Sequence, residues 1–158
     1  MKDFKNEKNL NFNIGVAYNP YLKNHYNICG ERERIKKKFS CRLTKSIWLQ
    51  FGTDIKLLEK EINFLNDSVL NNTSHSKDKN VKIFGSLLIP SKEFISRFKF
   101  RPWKGVFISE KYLYSLDNFY KFTKDLIEIY LDNNICPIIE TECSSIKKLQ
   151  DIHSLIKK

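Results

Sequence analysis

Apolar residues gather along the chain in four short runs, each followed by a polar loop and a stretch with helical spacing. The runs are Phe12-Asn13-Ile14-Gly15-Val16-Ala17, Ile47-Trp48-Leu49-Gln50, Val81 to Ile89, and Cys136-Pro137-Ile138-Ile139-Glu140. Their β-branched and aromatic content, bounded by Pro, Gly and Asn, predicts buried strands. From Glu31 to about Lys45 the pattern predicts a basic helix, with Ile35, Phe39 and Leu43 four apart as a narrow apolar stripe. Ile55, Leu58, Ile62 and Leu65 predict a clearer amphipathic helix. Ser91 can cap a short helix through Phe98. A long helix turns Phe119, Phe122, Leu126, Ile129 and Tyr130 inward. A last one, capped by Ser144 or Ser145, turns Ile146, Leu149, Ile152 and Ile156 inward.

Residues 1–11 are polar and read as a loose tail, and Asp67 to Asn80 as a solvated loop. The segment from Phe100 to Ile108 is apolar yet interrupted by Pro102 and Gly105, and fits neither period. Strand, loop and helix repeated four times predict an α/β domain over residues 12–158, with parallel strands and right-handed crossovers. Two architectures satisfy this: a small open sheet, or a partial (β/α)8 TIM-type barrel of about four βα units. A complete barrel takes about 250 residues, and the chain has 158.

Composition changes this picture little. At 41% hydrophobic and 13% aromatic residues, the chain can fill a core. No apolar run approaches the ~18 residues of a membrane span. The charged start from Met1 to Lys8 lacks the apolar segment of a signal peptide, so the expected compartment is the cytoplasm. Cys29, Cys41, Cys136 and Cys143 show no metal-ligand spacing with His25, His75 or His153, which predicts free thiols and no metal centre. The formal net charge of +10 fits a nucleic-acid binder, a site for an anionic cofactor, or a surface rich in lysine. Abundant Lys, Asn and Ile favour the last for much of the excess. No nucleic-acid-binding motif accompanies the charge, so nucleic acid is not an expected partner.

Three places carry candidate chemistry. The second strand ends on an uncharged polar side chain, Gln50, before Gly52 and the helix-capping pair Thr53 and Asp54. Ligands of α/β proteins sit at the carboxyl ends of strands, which makes Gln50 a candidate contact. A glutamine that has simply reached the surface fits the same pattern. In the basic helix, Arg34, Lys37 and Lys38 share a face with Glu31 a turn earlier, which suits a diphosphate or equally a solvated surface. Glu140, Glu142 and Cys143 follow the fourth strand; Glu140 is a candidate pocket residue and the others suit helix capping. Histidine is too sparse for a triad, and neither a dinucleotide glycine fingerprint nor a P-loop occurs.

Taken in order, four stretches of the chain resemble the methylenetetrahydrofolate reductase family. Phe12-Asn13-Ile14-Gly15-Val16-Ala17-Tyr18-Asn19-Pro20 is similar to its F-x-I-G-V-A-x-N-P strand. Glu31-x-x-Arg34-x-x-Lys37-Lys38 and Leu49-Gln50-Phe51 resemble the helix and strand that follow, and Gly85 to Ser91 resembles its G-x-x-P strand with a following serine. The resemblance spans about residues 12–155. It implies a flavoprotein barrel of one-carbon metabolism that reduces methylenetetrahydrofolate with NAD(P)H and FAD. Gln50 would then meet the folate pterin. Ala17 and Asn19 would lie beside the flavin, and Glu31, Arg34, Lys37 and Lys38 would meet its adenine dinucleotide part.

The chain departs from that family in several places. Cys41-Arg42-Leu43 stands where many members have Gly-Ala, and the interval from Lys38 to Gln50 is one residue longer. Family folate contacts fall near Tyr114 and Ser144, which are not the usual residues. The family's catalytic glutamate and folate-binding aspartate belong to strands that precede the matched region, so no catalytic residue is assigned. Two expectations follow. One is a reductase component completed by self-association or by a separate front-half chain; the other is a non-catalytic folate- or flavin-binding module.

Overall fold

Four parallel strands lie side by side in sequence order in the computed structural model, which describes residues 13–40, 43–70, 81–141 and 145–156. They are β1 (Ile14–Tyr18), β2 (Thr44–Leu49), β3 (Lys82–Leu88) and β4 (Ile135–Glu140). Six α-helices are described: α1 (His25–Phe39), α2 (Ile55–Leu65), α3 (Lys92–Phe100), α4 (Glu110–Leu113), α5 (Leu116–Asp132) and α6 (Ile146–Ile156). When neighbouring strands follow one another in sequence, right-handed crossovers place every connecting helix on the same face of the sheet. Burial agrees. Tyr18, Ile47, Leu49, Ile83, Leu87 and Ile135 point under the helices and are buried. Ala17, Trp48 and Cys136, on the opposite face, are exposed. A doubly wound sheet would be covered on both faces. This one-sided sheet is consistent with a segment of a barrel.

Local chemistry moves several boundaries. The helix expected from Glu31 to Lys45 begins at His25, because the Asn24 side chain accepts the Tyr26 N–H and caps it. It ends at Phe39, where the Ser40 hydroxyl donates to the Lys37 carbonyl. Thr44 and Lys45 belong to β2, and Leu43 uses its carbonyl to accept the Ile14 N–H at 2.8 Å. The polar loop expected from Asp67 is helical up to Leu70: a π-helical turn over Asn66–Leu70 continues α2 and buries Val69. The remainder of that loop, 71–80, lies outside the described residues, as does the tail over 1–11.

The segment that fitted neither period has a clear place. Gly52 forms a parallel bridge with Phe107, whose carbonyl accepts the Thr53 N–H at 2.9 Å. The Ser109 N–H donates to the Thr53 hydroxyl at 2.8 Å. The chain after α3 therefore crosses back to the carboxyl end of β2 before α4 starts. Beneath it, Phe51, Phe94, Tyr112, Phe119 and Phe122 form an aromatic cluster, with the Tyr112 and Phe122 rings 4.9 Å apart.

A second junction is polar. Glu61 of α2 is almost fully buried and accepts from the Tyr18 hydroxyl at 2.6 Å and from Arg32 of α1 at 2.6 and 2.9 Å. One carboxylate thus ties β1, α1 and α2 together.

Candidate functional site

Alternation along a strand sets residues two apart on one face. On the helix-free face this pairs Trp48 with Gln50, Phe84 with Ser86, and Ile138 with Glu140. The strand register places Ala17 opposite Trp48, Trp48 opposite Phe84, and Phe84 opposite Cys136. The Trp48 and Phe84 rings lie 5.0 Å apart and make an apolar floor. Gln50, Ser86 and Glu140 stand nearer the carboxyl ends and supply polar groups. With Asn19 and Glu31 from the other side, they line a cleft of about 290 Å³.

The polar groups divide into those spent on each other and those left for a ligand. Asn19 is spent: its N–H donates to Glu31 at 3.0 Å, its side-chain amide donates to the Gly105 carbonyl at 3.0 Å, and its oxygen accepts the Tyr21 N–H at 3.0 Å. Glu31 is spent too, because its second oxygen accepts from Arg34 Nε at 2.9 Å. Gln50 is anchored through its backbone N–H to the Tyr18 carbonyl at 2.9 Å, and its Oε1 accepts the Phe51 N–H at 3.3 Å. Among the described residues no acceptor holds its Nε2. Glu140 accepts the Ser86 hydroxyl on Oε1. Ser86 is itself fixed, since its carbonyl accepts the Tyr130 hydroxyl at 3.0 Å.

Ala17, Asn19, Glu31 and Gln50, named from the sequence, therefore meet in one cleft, and Glu140 joins them. Arg34 adjoins it only through Glu31. Lys38 Nζ donates to the Ala17 carbonyl at 3.3 Å, and Lys37 is exposed and outside the lining. Arg34 and Lys38 stand on the surface, where a phosphate could replace their present partners, so the basic helix is compatible with an anion. Tyr114 is exposed with Lys99 over its ring and takes no part in the cleft. Cys41, Arg42, Glu142, Cys143 and Ser144 lie outside the described residues. Cys29 and Cys136 are free thiols. Among the described residues, no cluster of three His, Cys, Asp or Glu could hold a metal, and no helix is long and apolar enough to cross a membrane.

The sequence reading did not single out Trp48, Phe84, Ser86 or Gly105 as site residues. Trp48 and Ser86 carried a usable signal, the two-residue step from Gln50 and from the half-buried Phe84. Gly105 carried none, because its contact with Asn19 spans 86 residues of chain.

No family model matches the chain, and no curated protein does. Among solved structures, an uncharacterized protein from Clostridium thermocellum that binds two copies of 5-methyl-5,6,7,8-tetrahydrofolic acid is similar, with a TM-score of 0.57 at 20% identity. The alignment covers 92% of this chain and 52% of that one, so the chain spans about half the length of its neighbour. At that identity the likeness is one of fold alone.

Proposed function

We propose that the cleft binds a reduced folate, with the pterin ring lying on Trp48 and Phe84 and its polar edge against Gln50. The observation that carries this reading is the juxtaposition of the Gln50 Nε2, which no described residue holds, with an aromatic floor at the carboxyl end of the sheet. The pyrimidinone half of a reduced pterin is flat, apolar on its faces, and lined with hydrogen-bond donors and acceptors at its edge. The ligand of the structural neighbour supports the same class. On this reading the chain is a folate-binding module. Titration with 5-methyltetrahydrofolate, followed by calorimetry, tests it. The Gln50→Ala variant should bind about tenfold or more weakly with an unchanged melting temperature, as expected for a lost ligand hydrogen bond. Absence of binding to the native chain defeats the reading.

A second reading, an FAD- and NAD(P)H-dependent reductase of cytoplasmic one-carbon metabolism, is favoured by the exposed basic face of α1 and by the resemblance around Ala17, Asn19 and Glu31. It predicts a protein that purifies yellow; a colourless one that gains no flavin on reconstitution rejects it. The helix-free face also invites a cover, either a second copy or a separate chain that extends the sheet toward a barrel. Pro137, which has no N–H, and the Lys38 contact on the Ala17 carbonyl weaken strand pairing at the two sheet edges. The cover would therefore rest chiefly on the face. A stable monomer by size exclusion, unfolding cooperatively, rejects that part.

A further inference from the structure

We infer that Glu140 is the second anchor of the ligand, accepting the two adjacent N–H donors of a ring that carries an amino-amidine edge. The inference rests on the folate reading and deepens it. Two carboxylates line the cleft, and both oxygens of Glu31 are already engaged by the Asn19 N–H and by Arg34. Glu140 differs. The Ser86 hydroxyl holds Oε1, and among the described residues no donor reaches Oε2.

Placement supports the pairing with Gln50. Leu49 lies opposite Gly85, so Gln50 is level with Ser86; Ser86 is level with Ile138, and Glu140 is two residues further along. Two strand spacings of about 4.8 Å and a rise of two residues set the Cα atoms of Gln50 and Glu140 about 12 Å apart. Both side chains line the cleft whose floor is the Trp48 and Phe84 rings, and the carbonyl and amino-amidine groups of one ring edge fit between them. The chemistry is complementary. Gln50 has a free amide N–H to give to a ring carbonyl, while Glu140 has only acceptors: the open Oε2 and the second lone pair of Oε1 match the 2-amino group and the adjacent ring N–H. Such a carboxylate-to-paired-donor contact is charge-assisted and directional. Ser86 acts as a positioning residue that orients Glu140.

The test measures binding of 5-methyltetrahydrofolate and of its 2-desamino-2-methyl analogue, which lacks the exocyclic donor. The native chain should bind the analogue about tenfold or more weakly than the natural ligand. Glu140→Gln keeps the shape of the side chain and should weaken the natural ligand by a similar factor, while weakening the analogue, which keeps only the ring N–H, by less. Ser86→Ala should give a smaller loss of the same selectivity. Equal affinity of the native chain for both ligands, or an equal loss of both in Glu140→Gln, overturns the role of Glu140 and leaves the folate reading standing. Failure of the native chain to bind either ligand overturns both.

Discussion

The side-chain amide of Asn19 donates to the carbonyl of Gly105 across 3.0 Å, joining the end of β1 to the chain segment that follows α3. Gly105 sits at φ +84°, a backbone conformation that side chains other than hydrogen resist. A Cβ there would lie 3.5 Å from the Asn19 amide nitrogen and 3.9 Å from Gln50 Nε2, so space is adequate and the obstacle is the backbone. Gly105→Ala should cost about 1–2 kcal/mol, the penalty of a left-handed residue. Because the same peptide holds Asn19 beside Gln50, folate affinity should fall together with stability. Denaturant titration and ligand titration of one preparation check this, and unchanged values in both contradict it.

Glu61 should be the most costly polar side chain to isolate. It is nearly fully buried, and the Arg32 guanidinium that faces it also lies over the Phe64 ring at 4.5 Å. Arg32→Ala leaves a buried carboxylate with only the Tyr18 hydroxyl, and the expected loss is about 3 kcal/mol. Replacing Arg32 and Glu61 together by Met removes the stranded charge and should cost less than the sum of the two single changes. Chemical denaturation of the four proteins in the cycle measures the coupling. Strict additivity would show that the pair contributes nothing beyond its separate contacts.

Two glycines on opposite sheet faces should respond differently to the same substitution. A methyl group at Gly85 would overlap the ring of Tyr130, a buried tyrosine pinned by its hydrogen bond to the Ser86 carbonyl. The ring has nowhere to move, and Gly85→Ala should cost about 1–3 kcal/mol, in the range of overpacked cores. At Gly15 the clash is with the Trp48 indole and the Ser46 hydroxyl on the open face. Trp48 is 47% exposed and can swing away, so Gly15→Ala should be nearly neutral for stability while disturbing the floor of the cleft. Equal losses at the two sites would contradict the one-sided arrangement of the helices.

The α/β class and the parallel order were legible because four apolar runs alternate with helical stripes, and Ile47, Leu58 and Phe122 keep the burial their spacing predicts. The start of α1 was hidden, because its first turn carries His25, Tyr26 and Asn27 rather than an apolar stripe, and only the Asn24 cap marks it. Its end was misread because Leu43 continues the four-residue spacing although Thr44 already pairs with Ile14. At the site, Gln50 was visible as a polar end to a buried strand. Asn19 and Glu31, named by resemblance, line the same cleft as Gln50, but they hold each other there, a relation that motif matching does not express. Gly105 depends on a contact between distant segments, which local patterning cannot record.

Alkaline solution should expose the tyrosines that knit this core. Burial is the main cause that raises the pKa of Tyr18, Tyr21 and Tyr130 above the ordinary value of 10.0, and at Tyr18 the hydrogen bond and charge of Glu61 add to it. Each phenol therefore keeps its proton in the folded chain at a pH where the unfolded chain has released it. The unfolded state then binds fewer protons, and the free energy of unfolding falls as pH rises. Their stabilisation is intact below about pH 10 and is lost progressively above it. Phenolate absorbance from the three buried tyrosines should appear in one step that coincides with loss of helical circular dichroism. Replacing Tyr18 by Phe removes one of the three and leaves Glu61 to Arg32 alone, so the alkaline limb should become shallower even though stability near neutral pH drops. An unchanged slope in that variant would show that the Tyr18 proton is not linked to folding.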